Sequence, residues 1–341
     1  MNAELETIAQ KMVSDGKGIL AADESTSTIK KRFDAIGVES TEENRRDYRE
    51  LLFRSDEAMK EYISGVILFD ETLRQKAKDG TPLVSLIQQA GSIPGIKVDA
   101  GAKPMALFPG ETITEGLDGL AGRLKEYYDF GARFAKWRAV IDIGAGIPTP
   151  GAVAANAHAL ARYAALCQEA NIVPIVEPEV LMDGDHGIER CYEVTEYVLR
   201  VVFGELYQQR VALEGMVLKP NMVVPGKKAR TQASVAQVAE QTVRVLKATV
   251  PAAVPGIAFL SGGQSDEDAT AHLDAMVKLG NLPWKLTYSY GRALQAAPQK
   301  AWSGKAENVA AAQAAFTHRA RMNSLAALGR WSAEQEAKKA A

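Results

Sequence analysis

The chain has 341 residues, 47% of them hydrophobic and 24% charged, an ordinary balance for a soluble globular protein. Its net charge of -2 excludes a global basic field for nucleic acid. Two cysteines, Cys167 and Cys191, exclude a disulfide scaffold and point to a reducing, cytoplasmic setting.

The opening "MNAELETIAQKMVSDGKG" is polar and mixed in charge, unlike a signal peptide. No run approaches the ~20 apolar residues of a membrane span. The first short apolar run is "GILAAD", Gly18 to Asp23. A helical pattern follows in "TEENRRDYRELLFRSDEAMKEYI", with Thr41 as N-cap and acidic residues in the first turn. The second run is "GVILFD", from Gly65 to Asp70, and the third "GIKVD", from Gly95 to Asp99. The fourth is "FAKWRAV", from Phe134 to Val140. The alanine-rich helix "PGAVAANAHALARYAALCQEAN" has Pro150 near its start and Asn171 just past its end. The fifth run, Ile172 to Val180, contains "VEPE"; the sixth, about Gly215 to Pro220, contains "VLKP". The amphipathic "ASVAQVAEQTVRVLKATV" precedes the seventh run, Gly256 to Gly262. The eighth spans Lys285 to Gly291, and a long helix, "ENVAAAQAAFTHRARMNSLAALG", ends at a glycine.

The polar ends of these runs fall near residues 23, 70, 99, 140, 180, 220, 261 and 290, so 29 to 47 residues separate them. Each interval holds a helix and two loops. The expectation is a single (β/α)₈ barrel domain over residues 1–341, with additional N- and C-terminal helices and a flexible tail at 331–341.

Barrel active sites lie at the C-terminal ends of the strands. There the first run carries Asp23, the fourth Lys136 and Arg138, the fifth Glu177 and Glu179, and the sixth Lys219. Strand alternation puts Lys136 with Arg138, and Glu177 with Glu179, on common faces. Lys219 sits in a mostly apolar stretch, where an ammonium needs a partner or loses its proton. A nearby cation, Lys136, and a partly dry pocket lower its pKa and ready the amine to attack a carbonyl. Dehydration of the carbinolamine needs an acid, a role Glu177 and Glu179 can divide, and Asp23 could be the base for carbon–carbon cleavage. A lone charge at a strand end is more often a structural ion pair, and Lys136 with Glu177 could be one. The convergence of five on neighbouring strands, Lys136, Arg138, Glu177, Glu179 and Lys219, with Asp23 on a strand further round, favours chemistry. Trp137 alternates away from Lys136 and is read as outward packing.

"LSGGQS" supplies Ser261, Gly262 and Gly263 after the seventh strand; "SYGRAL" supplies Ser289, Gly291 and Arg292 after the eighth. Together they form a phosphate signal. Lys97, with Arg32 and Arg45 near the first helix, could hold a second phosphate. "GAGIPTPG" is no dinucleotide fingerprint. "DGDHG" gathers Asp183, Asp185 and His186, read as a polar loop rather than a cation site because the histidines lack metal-ligand spacing.

The stretches "GKGILAADEST", "FAKWR", "VEPE", "LKPNMV", "FLSGGQS" and "SYGRALQ" give the chain a resemblance to class I fructose-bisphosphate aldolases along nearly its whole length. The resemblance implies a (β/α)₈ barrel that reversibly cleaves fructose bisphosphate into dihydroxyacetone phosphate and glyceraldehyde phosphate, without metal or other cofactor. It implies Lys219 as Schiff-base former, Glu177 as acid–base residue, and Glu179 hydrogen-bonded to the catalytic groups. Lys136 would support carbinolamine chemistry, Arg138 would lie toward the substrate, and Asp23 would orient substrate and shuttle protons. It assigns Ser261, Gly262, Ser289, Gly291 and Arg292 to one phosphate, and Lys97, Ser25, Arg32 and Arg45 to substrate or its other phosphate. It also implies a homotetramer. Ser27 replaces a family glycine, Ala100 stands where animal members have lysine, and the tail "KKAA" lacks their terminal tyrosine. The alternatives are action on another phosphorylated ketose, a metal-dependent enzyme using "DGDH", or a barrel kept as a binding or scaffold protein.

Overall fold

Each of the eight apolar runs contributes a strand, and the strands close into one parallel barrel. The computed structural model describes residues 3–337. Its barrel strands are β1 (Gly18–Ala22), β2 (Ile63–Leu68), β3 (Ile93–Lys97) and β4 (Phe134–Ile141). They continue as β5 (Val173–Val180), β6 (Val217–Leu218), β7 (Gly256–Phe259) and β8 (Lys285–Tyr290). Each pairs with its neighbours in sequence, and β8 closes on β1 with Ser289 opposite Ile19. Helices fill the intervals, and further helices precede β1 (Ala3–Met12) and follow the barrel (Val309–Ala327). This is the expected (β/α)₈ architecture.

Alternation decides what fills the barrel. Ile19, Ala21, Ile67, Ile93, Phe134, Val173, Ile175, Val217 and Ala258 form one inner cluster with Leu5, Ala9 and Met12 of the first helix. That helix therefore plugs the end of the barrel where the strands begin. Phe134 needs space from two neighbouring strands: a Cβ on Gly95 would lie 2.2 Å from its ring, and one on Gly65 2.9 Å. Both glycines accordingly sit inside strands, and β2 and β3 each begin two residues before the glycine that opens the apolar run. Trp137 faces outward, its ring 5.5 Å from that of Tyr163 on the helix Pro150–Glu169.

Local chemistry sets several helix ends. Thr41 accepts the Asn44 N–H and starts the helix Glu42–Phe53. That helix ends ten residues before the expected Ile63; a π-turn at Ala58–Tyr62 then leads into β2. Ser55, between the two pieces, turns its hydroxyl back onto the Leu51 carbonyl at 3.0 Å, a bond that competes with regular helix. Asn171 takes the left-handed conformation (φ 56°) just past the helix that begins at Pro150. Of the tail expected to be flexible, the described part docks: Arg319 Nη1 meets Glu336 Oε2 at 2.6 Å, and the Trp331 N–H donates to Asp274 at 3.0 Å. Residues 338–341 lie outside the described residues. Among the described residues, no helix is long and apolar enough to cross a membrane.

Candidate active site

Strand register places charged side chains in layers at the C-terminal end of the barrel. Lys97 and Lys136 are opposite each other on β3 and β4, and Lys136 is level with Ile175, itself opposite Val217. Glu177 and Lys219 follow two residues further on, one layer higher and on the same inward face. The Glu177 carboxylate meets both lysines. One oxygen lies 3.3 Å from Lys219 Nζ, the other 3.3 Å from Lys136 Nζ. Lys136 Nζ also donates to Asp23 Oδ2 at 2.9 Å, across from the end of β1. Lys219, Lys136 and Glu177 are each no more than 5% exposed. Beside them, Arg138 Nε donates to Glu179 Oε2 at 2.5 Å.

Regular strand in β6 is only two residues long, shorter than the run read from Gly215 to Pro220, because a 3-10 turn (Leu213–Gly215) precedes it and Pro220 has no N–H for the ladder. Lys219 still extends the pairing, its N–H donating to Val176 O at 2.8 Å. The buried, irregular chain that follows finds partners in side chains. Asn221 Oδ1 accepts the Val180 N–H at 3.1 Å, and Thr242 Oγ1 accepts the Val223 N–H at 2.9 Å. These bonds hold the chain that follows the lysine.

Burial is the main influence on Lys219 and pushes its pKa down; the carboxylate of Glu177 opposes this, and Lys136 adds to the lowering. Burial also works against the charge on Lys136. Asp23, Glu177 and Asp99 outweigh it and keep that ammonium protonated far above the usual range. Burial likewise opposes ionisation of Asp23, but Lys136, Lys219 and Lys97 hold it well below the normal carboxylate range. One lysine is therefore a fixed cation and the other a weakened one. We expect Lys136→Met to raise the Lys219 pKa, since a cation disappears and two carboxylates lose their partner. The rate of Schiff-base formation at neutral pH should fall roughly ten-fold or more and recover partly as the pH rises. Rates of reductive trapping across a pH series measure this. An unchanged pH profile would show that Lys136 does not set the state of Lys219.

A cavity of about 310 Å³ opens from these residues. Its lining includes Lys219, Glu177, Glu179, Lys136, Arg138 and Asp23, and it continues to Ser261, Gly262, Gly263, Ser289, Gly291, Arg292 and Arg32. Gly262 and Gly263 both take positive φ (57° and 91°), a turn that side-chain-bearing residues rarely adopt. Gly291 starts the helix Arg292–Trp302, whose first turn has no side-chain cap. Arg32 is paired with Glu24, which also accepts from Gln295 at 2.7 Å. Glycine backbone, a helix start and two arginines thus line one end of the cavity, an arrangement suited to an anion.

Three sequence candidates stand off this lining. Lys97 Nζ lies 3.6 Å from Asp99 Oδ1 and acts on the site through its charge near Asp23. Ser25 is the N-cap of the helix Thr26–Asp34, its hydroxyl accepting the Thr28 N–H. Arg45 is engaged elsewhere: its guanidinium holds Glu71 through two bonds and donates to Ser40 O at 2.6 Å. Two charged residues of the lining, Asp183 and Lys227, are not among the site residues expected from the sequence. Lys227 follows the Pro225–Gly226 turn, and its Nζ lies 3.0 Å from Asp183 Oδ1, which belongs to the loop read as merely polar. The available signal was an acidic loop after β5 and a basic loop after β6, on adjacent strands. Among the described residues, no group of three or more His, Cys, Asp or Glu comes together as metal ligands would.

The family model for class-I fructose-bisphosphate aldolase matches residues 4–341. A relative from Xanthomonas campestris pv. campestris, "Probable fructose-bisphosphate aldolase class 1", is 62% identical over 329 residues, covering 96% of this chain and 98% of that one. "Fructose-bisphosphate aldolase 4, cytosolic" of Arabidopsis thaliana is 55% identical over 327 residues, covering 96% and 83%. Among solved structures, fructose-bisphosphate aldolase from Plasmodium falciparum, in complex with TRAP and a small molecule inhibitor, superposes with a TM-score of 0.94. It shares 52% identity, with 97% of this chain and 95% of that chain covered. A lysine-bearing barrel with this sequence and this fold belongs to the class-I fructose-bisphosphate aldolase family.

Proposed function

We propose that this chain cleaves fructose 1,6-bisphosphate reversibly to dihydroxyacetone phosphate and glyceraldehyde 3-phosphate, through a Schiff base on Lys219. The observation that carries this reading is the single buried carboxylate of Glu177 set between Lys219 and Lys136. The uncharged Lys219 amine adds to the C2 carbonyl. Glu177, carrying the proton that Lys219 sheds to become the free amine, delivers it to the carbinolamine hydroxyl, which leaves as water and yields the iminium. The iminium draws the C3–C4 bonding electrons toward C2 as a base removes the C4 hydroxyl proton. The aldehyde departs and an enamine remains on the lysine. Glu177, once deprotonated, serves as that base, while Asp23 orients the substrate hydroxyls and helps move protons. Protonation at C3 and hydrolysis release dihydroxyacetone phosphate and restore the amine.

Lys136 stays charged throughout and stabilises the anionic oxygens that develop beside it. Glu179 holds Arg138 toward the substrate. The Gly262–Gly263 turn, Ser289 and the helix start at Arg292 take the phosphate of the ketone fragment, and Arg32 borders the same end. The name of the Arabidopsis relative says cytosolic, and the same location is proposed here.

The test is reduction with borohydride in the presence of dihydroxyacetone phosphate, followed by peptide mapping. The expected result is one adduct, on Lys219. Folded protein that turns over the bisphosphate yet yields no adduct there would refute the Schiff-base route.

A further inference from the structure

Asp183 and Lys227 reach the cavity from the loops after β5 and β6, and the Schiff-base steps use neither. Their ion pair is exposed, with 60% and 42% of the side chains accessible, so solvent competes for both ends. The same ammonium also stands against the glycine turn after β7. A Cβ built on Gly263 would lie 2.7 Å from Lys227 Nζ and 2.9 Å from Arg292 Nη2. Two cations from separate loops therefore converge on one point beside the turn. The backbone places Lys227 there without freedom. Gly226 packs so closely that a Cβ would meet Gly184 O at 2.2 Å, and the Lys227 N–H donates to Met182 O at 2.7 Å. The side chain above this anchored backbone is long and free to exchange partners.

The geometry points to Lys227 as a substrate-binding residue. In the free protein its ammonium rests on Asp183. When substrate enters, it crosses to the phosphate held at Gly262–Gly263 and joins Arg292 there. A phosphate dianion gains a second cation, and Asp183 is left to solvent. A ketose without that phosphate gives Lys227 no reason to leave Asp183, so the residue discriminates for phosphorylated substrates. The inference rests on the phosphate subsite proposed above.

Inorganic phosphate as a competitive inhibitor tests it on the intact chain. Lys227→Met should raise the phosphate Ki and the KM for fructose 1,6-bisphosphate together, by about ten-fold, with the larger part of the loss in KM rather than kcat. Lys227→Arg should restore both, and Asp183→Asn should lower the phosphate Ki by releasing the ammonium. Arg292→Met is the control for the subsite. A phosphate Ki unchanged in Lys227→Met but raised in Arg292→Met would overturn the role of Lys227. A Ki unchanged in both would overturn the subsite itself. An Asp183→Asn variant that weakens phosphate as much as Lys227→Met would show that the pair merely braces two loops, which also overturns the inference.

Discussion

Lys219→Met is expected to lose at least about 10⁴-fold in turnover of fructose 1,6-bisphosphate and to give no reductively trapped adduct. No other lysine in the cavity can take over. Lys136 is held protonated by Asp23 and Glu177, and Lys227 lies out against Asp183. The fold should survive, because Glu177 keeps Lys136 as a buried partner at 3.3 Å when an apolar side chain of similar length replaces Lys219. The pH dependence of stability gives a second reading. Burial depresses the Lys219 pKa below the ordinary 10.5 in the folded protein only. Between the depressed and ordinary values the unfolded chain binds one more proton than the native one, so native stability rises with pH across that window. The variant should lack this contribution. Denaturant titrations at several pH values, alongside steady-state assays, check both statements. Residual turnover within about a hundred-fold of the native protein would exclude Lys219 as the nucleophile.

Glu177→Gln is expected to cost roughly 10² to 10⁴ in kcat. The amide keeps the shape of the carboxylate but cannot donate a proton to the departing hydroxyl or take one from the C4 alcohol. It also leaves Lys219 without its buried counterion. The charge-stabilising contact at 3.3 Å is lost, which favours the neutral amine. Nucleophilic addition should therefore persist while dehydration slows. Borohydride reduces the iminium and not the carbinolamine, so the rate of trapping should fall together with turnover, whereas Lys219→Met traps nothing. A Glu177→Gln protein within about three-fold of native turnover would remove Glu177 from the acid–base role.

Much of the fold was legible because its cause is local. Short apolar runs separated by amphipathic stretches become alternating strands and helices, and Thr41 and Pro150 mark helix starts through the few residues around them. Period-two alternation within one strand was enough to put Lys136 with Arg138, and Glu177 with Glu179, on common faces. Glycine was the misleading signal. Gly65 and Gly95 look like turn residues in the sequence, yet they are strand interiors, because the ring that fills their Cβ space comes from Phe134 on another strand.

By itself the sequence determined the eight-fold alternation, the inward faces and the charge types available at the strand ends. Only the tertiary structure decided who meets whom. Register between β4, β5 and β6 raises Glu177 one layer above Lys136 and lets a single carboxylate face two lysines. Tertiary contacts also join Arg45 to Glu71 and bring Lys227 against the glycine turn after β7. The physical reason is range. Helix and strand preferences act over a few neighbouring residues, whereas these pairings join residues 26 to 113 positions apart, such as Arg45 with Glu71 and Lys136 with Asp23. Such distances are closed only when the barrel itself closes.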